Sequence, residues 1–115
     1  MGDGLHVWVY ILRCADGSYY VGSTKRDEPE AREWEHNAGL VEGYTSRRRP
    51  VTLVYAERYD KLIDGFARER QLKRWSRAKK EALMAQDWKR LADLARGSRS
   101  AIDTVPRPRG STSSP

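Results

Sequence analysis

One cysteine, Cys14, stands in 115 residues, so no intramolecular disulfide can form and a disulfide-stapled scaffold is excluded. Histidine is almost as scarce. His6 and His36 are the only two, and no Cys–His pair at useful spacing, CxxC or HExxH motif exists. A Walker loop and a GxSxG elbow are also missing. The longest apolar run, Val7 to Leu12, has six residues, far short of the roughly 18 that a membrane span needs. The opening Met1-Gly2-Asp3-Gly4 lacks the basic and apolar regions of a signal peptide, and His6 breaks a myristoylation motif. These absences predict a cytoplasmic protein with no membrane partner. The length predicts one domain.

Positive charge is what the chain has in excess. Lys and Arg number 22 against 16 acidic residues, a formal net charge of +6. Such a surface attracts polyanions, nucleic acid first. The cations are clustered: Arg68, Arg70, Lys73, Arg74, Arg77, Lys79 and Lys80 are opposed only by Glu69, and Arg47-Arg48-Arg49 forms a second group. From Gly97 onward, Ser, Thr, Pro and Gly dominate and apolar residues nearly vanish. A domain over residues 1–96 with a disordered tail over 97–115 is therefore expected. The tail holds three Arg and one Asp, net +2, so +4 of the +6 belongs to residues 1–96.

Residues 7–13, VWVYILR, read as a strand with few polar residues on either face, hence a central one. Asp16-Gly17 supplies a hairpin turn into Tyr19-Tyr20-Val21-Gly22. Asp27, Pro29 and the flanking glutamates predict a helix start, with Gly39 as its stop. Residues 51–57 read as a third strand after Pro50. Asp60 is expected to cap a helix whose Leu62, Ile63, Phe66 and Leu72 form an apolar stripe. Ser76 and Asp87 are expected to cap two more helices. The order β-β-α-β-α-α-α predicts an α+β fold, a small antiparallel sheet flanked by helices.

Few residues remain that can do chemistry. Tyr10 and Tyr20 lie on paired strands, an arrangement that serves packing as readily as function. Arg32 and His36 are four apart on one helix face: either a solvated pair, or a phosphate clamp beside a proton shuttle. Glu69 is the lone carboxylate in the most basic stretch. It reads either as an ion-pair partner of Arg70 or Lys73, or as a ligand for one hard divalent cation. Cys14 reads as a small filler at a strand end, and His6 as part of a frayed terminus.

Five pieces in order carry a resemblance. Val9-Tyr10-Ile11 with Tyr20-Val21-Gly22 comes first, followed by Gly22-Ser23-Thr24 and Arg32-x-x-Glu35-His36-Asn37. Tyr44-Thr45-Ser46-Arg47-Arg48-Arg49-Pro50-Val51 and Arg68-Glu69-Arg70-Gln71-Leu72-Lys73 complete it. Together, over residues 7 to about 84, they resemble the GIY-YIG nucleases in their small single-domain form. The resemblance implies a three-stranded antiparallel sheet and hydrolysis of DNA phosphodiesters with one divalent metal, Mg2+ or Mn2+. It implies that one of Tyr10 and Tyr20 activates or positions water, and that Arg32 stabilises transition-state charge. His36 would support proton transfer or phosphate binding, and Glu69 would be the sole protein carboxylate on the metal. Gly22 would let the strand end pack close to the site. Glu33 stands where the family pattern usually has an apolar residue, and turned inward it must find a partner.

Arg47, Arg48, Arg49, Arg68, Arg70, Lys73, Arg74 and Arg77 are the candidate backbone contacts to DNA, salt-dependent and blind to sequence. Branched, single-stranded or damaged DNA is expected as substrate ahead of a defined sequence, in repair or processing, with a monomer as the default state. The alternative is a nucleic-acid-binding module that keeps the fold and basic surface and cleaves poorly or not at all.

Overall fold

The strand β1 (Val7–Arg13) is the middle of a three-stranded antiparallel sheet, ordered β2-β1-β3, with β2 (Tyr19–Thr24) and β3 (Thr52–Tyr59) at its edges. Its apolar content on both faces requires that position, and Val7, Val9, Tyr10, Ile11 and Leu12 are fully buried. The computed structural model describes residues 5–98, with side chains through Arg96. The helices are α1 (Glu30–Asn37), α2 (Leu62–Lys73), α3 (Arg77–Met84) and α4 (Trp88–Ser98), and a 3-10 turn covers Tyr44–Arg47. The expected α+β order is present.

The chain divides after Trp75 into two compact units. In the first, the pleat of β1 separates two faces. Tyr10 and Leu12 pack with Cys14, Val51, Tyr20, Leu53 and Ala56 on the face that α1 approaches. Val7 meets α2 on the other, so closely that a Cβ on Gly65 would stand 2.2 Å from Val7 Cγ1. A glycine mid-helix weakens the helix itself; here it permits the helix–sheet contact. The hairpin closes through Cys14 N–H to Ser18 C=O (2.8 Å), with Gly17 at φ +88°. In the second unit, Ser76 Oγ accepts from Lys79 N–H, Asp87 Oδ1 accepts from Arg90 N–H, and α3 packs on α4.

Several local expectations change. Asp27 does not cap α1: Pro29 is the cap residue, and the first turn closes on the Glu28 and Pro29 carbonyls. The Asp27 carbonyl instead accepts from Trp8 Nε1 (3.0 Å). Asp60 does not cap α2 either, because its carboxylate pairs with Arg58. Ile63 is 75% exposed, so the stripe of α2 turns its buried side through Gly65 and Leu72. His6 is not frayed; it is buried, with Nε2 2.8 Å from the Arg26 carbonyl. The backbone of α4 continues through Gly97 and Ser98, and residues 99–115, most of the expected tail, lie outside the described residues.

Candidate active site

Tyr10 projects from the middle of β1 into a site completed by α1. Its hydroxyl is 3.3 Å from His36 Nε2, and Arg32 Nε donates to it at 3.4 Å. Arg32 and His36 reach one phenol because four residues of helix return a side chain to the same face. Tyr10 and His36 are both fully buried. The far ring nitrogen, His36 Nδ1, lies 2.6 Å from Thr45 Oγ1, itself buried in the 3-10 turn.

The hydrogen-bond directions follow from the donor inventory. With Arg32 Nε–H donating to the Tyr10 oxygen, the phenolic proton is available to Nε2, and Nδ1–H then donates to Thr45. This assignment needs a neutral imidazole. Burial, reinforced by the charge of Arg32, holds the His36 pKa below its ordinary value, with Glu35 opposing. Tyr10 moves the other way: burial raises its pKa beyond what the Arg32 hydrogen bond and charge offset. The charge on Glu69 is among the smaller effects that raise it. Without a further cation, Tyr10 is a neutral phenol.

Arg32 is held from behind. Its NH1 donates to Glu35 Oε1 (2.9 Å), while Arg26 pairs with the other carboxylate oxygen. Burial would lower the Arg32 pKa, but its bonds to Tyr10 and Glu35 raise it, so the charge is permanent. NH2 of Arg32 has no hydrogen-bond partner among the described residues.

Tyr20 enters from β2. Its ring is 5.3 Å from that of His36 and 6.5 Å from that of Tyr10. Among the described residues none hydrogen-bonds its hydroxyl. Gly22 pairs with Tyr10 across the strands, and a Cβ there would stand 2.6 Å from the Tyr10 hydroxyl and 3.0 Å from Tyr20 Cε2. The absent side chain is therefore what admits both phenols.

Glu69 is on α2, on the opposite face of β2, where Ser23 Oγ donates to its Oε1 (2.7 Å) and Lys73 pairs with Oε2 (3.1 Å). Each carboxylate oxygen retains a lone pair. Among the described residues no three His, Cys, Asp or Glu gather as a metal cage. A single carboxylate suits a hard cation that keeps several waters and takes its other ligands from phosphate, so the donor set fits magnesium or manganese.

Glu33 turns toward the sheet and finds its partner: Oε2 accepts from Leu53 N–H (2.8 Å), at the register shift where β3 bulges against β1. It ties α1 to the edge strand and makes no described contact with Arg32. Asn37 does the same at the helix end, exchanging two hydrogen bonds with the Val51 backbone.

The candidate DNA contacts separate into groups. Arg47, Arg70 and Arg74 are exposed, Lys73 is exposed beside Glu69, and Arg49 is exposed while donating to the Asn37 carbonyl. Arg77 belongs to the second unit and pairs with Glu81. Arg68 departs from the expectation. Its side chain is 10% exposed, and its guanidinium grips Glu57 with two nitrogens (3.0 Å each) while donating to Gln71 (2.7 Å). Tyr55 and Tyr59 also donate to Glu57. Burial would raise the Glu57 pKa, but Arg68 and the phenols outweigh it and hold the carboxylate ionised. Arg68 closes a structural network and is not a surface cation.

Thr45 and Glu35 sit in quoted motifs without an assigned role. Glu35 had a signal, its i,i+3 spacing from Arg32. Thr45 had none, since its partner lies across an irregular segment.

Two phenols, a fixed guanidinium and an imidazole gather on one face of the sheet, with the Glu69 carboxylate on the opposite face of β2, and the sheet that carries them is a nuclease-type fold. A family model of the GIY-YIG catalytic domain matches residues 6–82, and the chain belongs to that family. The domain implies a DNA substrate, and nucleases of this family generally use divalent metals. The chain is 45% identical over 75 residues to a UPF0213 protein of Halobacterium salinarum, covering 65% of this chain and 95% of that one. It is 45% identical over 80 residues to a UPF0213 protein of Natronomonas pharaonis, covering 70% and 92%. A solution NMR structure of a protein from E. faecalis aligns at 35% identity with TM-score 0.49, over 70% of this chain and 84% of that one. No helix among the described residues is long and apolar enough to cross a membrane.

Proposed function

We propose that the chain is a divalent-metal-dependent DNA endonuclease that hydrolyses phosphodiester bonds in DNA processing or repair, with Tyr10, Tyr20, Arg32, His36 and Glu69 as its site. The observation that carries this reading is the convergence of Arg32 and His36 on the hydroxyl of buried Tyr10. Hydrolysis adds a water oxygen to phosphorus, breaks the bond to the leaving oxygen and builds negative charge on the non-bridging oxygens. NH2 of Arg32, without a partner among the described residues and braced by Glu35, is a fixed donor for that charge. The Tyr20 hydroxyl, without a hydrogen-bond partner among the described residues, orients the attacking water. A proton that the water gives up enters at the Tyr10 oxygen as the phenolic proton passes to His36 Nε2, which Thr45 keeps free, and the leaving oxygen takes its proton from solvent. Glu69 would hold the divalent cation, which would supply further stabilisation of the phosphate oxygens and acidify water. Arg47, Arg70 and Arg74, all exposed, hold the DNA backbone, which supports low sequence selectivity.

A second reading, binding without cleavage, is favoured by the complete burial of Tyr10, which keeps its hydroxyl from water. Labelled DNA incubated with magnesium or manganese separates the two. Metal-dependent nicking lost in both Arg32→Ala and Glu69→Gln supports the enzyme. Salt-sensitive binding with no product under either metal supports the binding module.

A further inference from the structure

The 3-10 turn that holds His36 through Thr45 presents, one residue earlier, an aromatic ring to solvent. Tyr44 is 40% exposed, and its ring lies 6.1 Å from that of Tyr20 at 18°, a parallel stack. Arg48 places its guanidinium carbon 3.9 Å over the Tyr44 ring. That guanidinium is fixed in turn: Nε donates to Asp16 Oδ2 (3.1 Å) and NH1 donates to the Tyr44 carbonyl (2.7 Å). Asp16 is itself set by the hairpin turn, accepting from Ser18 N–H and Oγ–H. Three flat groups, Tyr20, Tyr44 and Arg48, thus run from the tyrosine beside His36 to the surface, and both connecting segments are braced.

We propose that Arg48, seated flat on Tyr44, presents its partly exposed outer face as a stacking platform for an unpaired DNA base next to the reacting phosphate. The inference rests on the nuclease reading for its substrate and extends it to a substrate class. Bases inside a duplex have both faces covered by their neighbours, whereas a base in a flap, gap or loop offers a free π-face. Aromatic rings and guanidinium planes take such a base irrespective of its identity. Arg48 is thereby reassigned. Two of its nitrogens and the face on Tyr44 are engaged, so it acts as a flat surface and not as a roaming phosphate contact. The platform lies one ring from Tyr20, so the stacked base belongs to a nucleotide adjoining the hydrolysed bond.

The test places a fluorescent purine analogue at successive positions around the cleavage point, in a flap substrate and in the matching duplex. Each is bound by the full chain with chelator present. Stacking quenches the analogue at one unpaired position. The flap then binds about tenfold more tightly than the duplex, the order expected for one stacked base. Tyr44→Ala abolishes the quench and the preference while duplex affinity stays the same, and Tyr44→Phe keeps both. Equal affinity for flap and duplex, or quenching at no position, overturns the platform whatever the variants do. Equal weakening of both substrates by Tyr44→Ala overturns it too. Failure of the two proposals is distinguishable. Metal-dependent cleavage of flap and duplex alike without quenching leaves the nuclease and removes the platform. Quenching without cleavage under any metal leaves the platform and removes the nuclease.

Discussion

The hydroxyl of Tyr10 stands 3.3 Å from Nε2 of His36, and neither side chain reaches solvent. A buried phenol–imidazole pair ties the protonation of one to the geometry of the other. The folded protein keeps His36 neutral, because burial and Arg32 lower its pKa, while the unfolded chain protonates it near pH 6.5.

The sign follows from linkage. The His36 contribution to stability is present above about pH 6.5 and is lost as pH falls through the lowered folded pKa. Urea midpoints measured at falling pH should drop in the wild type and drop less in His36→Gln. Nitrogen NMR at about pH 6.5 should find Nε2 unprotonated. Thr45→Val, which removes the acceptor of Nδ1–H, should disturb this tautomer and slow turnover.

Arg32→Ala should lower kcat by about a hundredfold or more, as for loss of an oxyanion donor, with DNA affinity little changed. Arg32→Lys should not restore it, because a point charge cannot reach the Tyr10 oxygen, Glu35 and a phosphate together. Single-turnover rates with separately measured Kd check both. A drop in affinity that accounts for the whole rate loss would place Arg32 in ground-state binding alone.

Gly22→Ala puts a methyl group 2.6 Å from a phenol that Arg32 and His36 restrain. Something must shift. Stability should fall by about 1–3 kcal/mol from overpacking, and activity by about tenfold or more, since small misplacements of reacting groups are expensive. Thermal melts and cleavage rates on the same preparation test this; wild-type activity in a stable Gly22→Ala protein would refute the close packing.

Arg68 and Arg70 should behave oppositely. Arg68→Ala strands Glu57 among Tyr55, Tyr59 and the sheet, and should cost about 3 kcal/mol. Arg68→Met with Glu57→Leu should recover much of that. Arg70→Ala, on the exposed side of α2, should leave stability unchanged, weaken DNA binding and shallow its salt dependence. Chemical denaturation beside affinity at several salt concentrations separates the two.

The strands, the hairpin and the central place of β1 were legible because they depend on local pattern: apolar residues on both faces, then Asp-Gly. Helix starts were less so. Ser76 and Asp87 cap as expected, whereas Asp27 and Asp60 do not, because Arg58 engages the Asp60 carboxylate and the first turn of α1 closes on backbone carbonyls. Arg68 and Arg70 are alike as letters. Only packing separates the one that meets Glu57 from the one that meets water.

The sequence by itself determined the elements, their order, the basic surface and the residue types able to handle a phosphodiester, since periodicity, charge and turn chemistry act between near neighbours. The tertiary structure decided which of those groups meet. Tyr10 and His36 are 26 residues apart, Ser23 and Glu69 are 46 apart, and Glu33 reaches Leu53 across 20. A buried polar group must take whatever partner the folded chain brings within hydrogen-bond distance. That partner is fixed by how the sheet and its helices pack, and no local stretch of sequence encodes it.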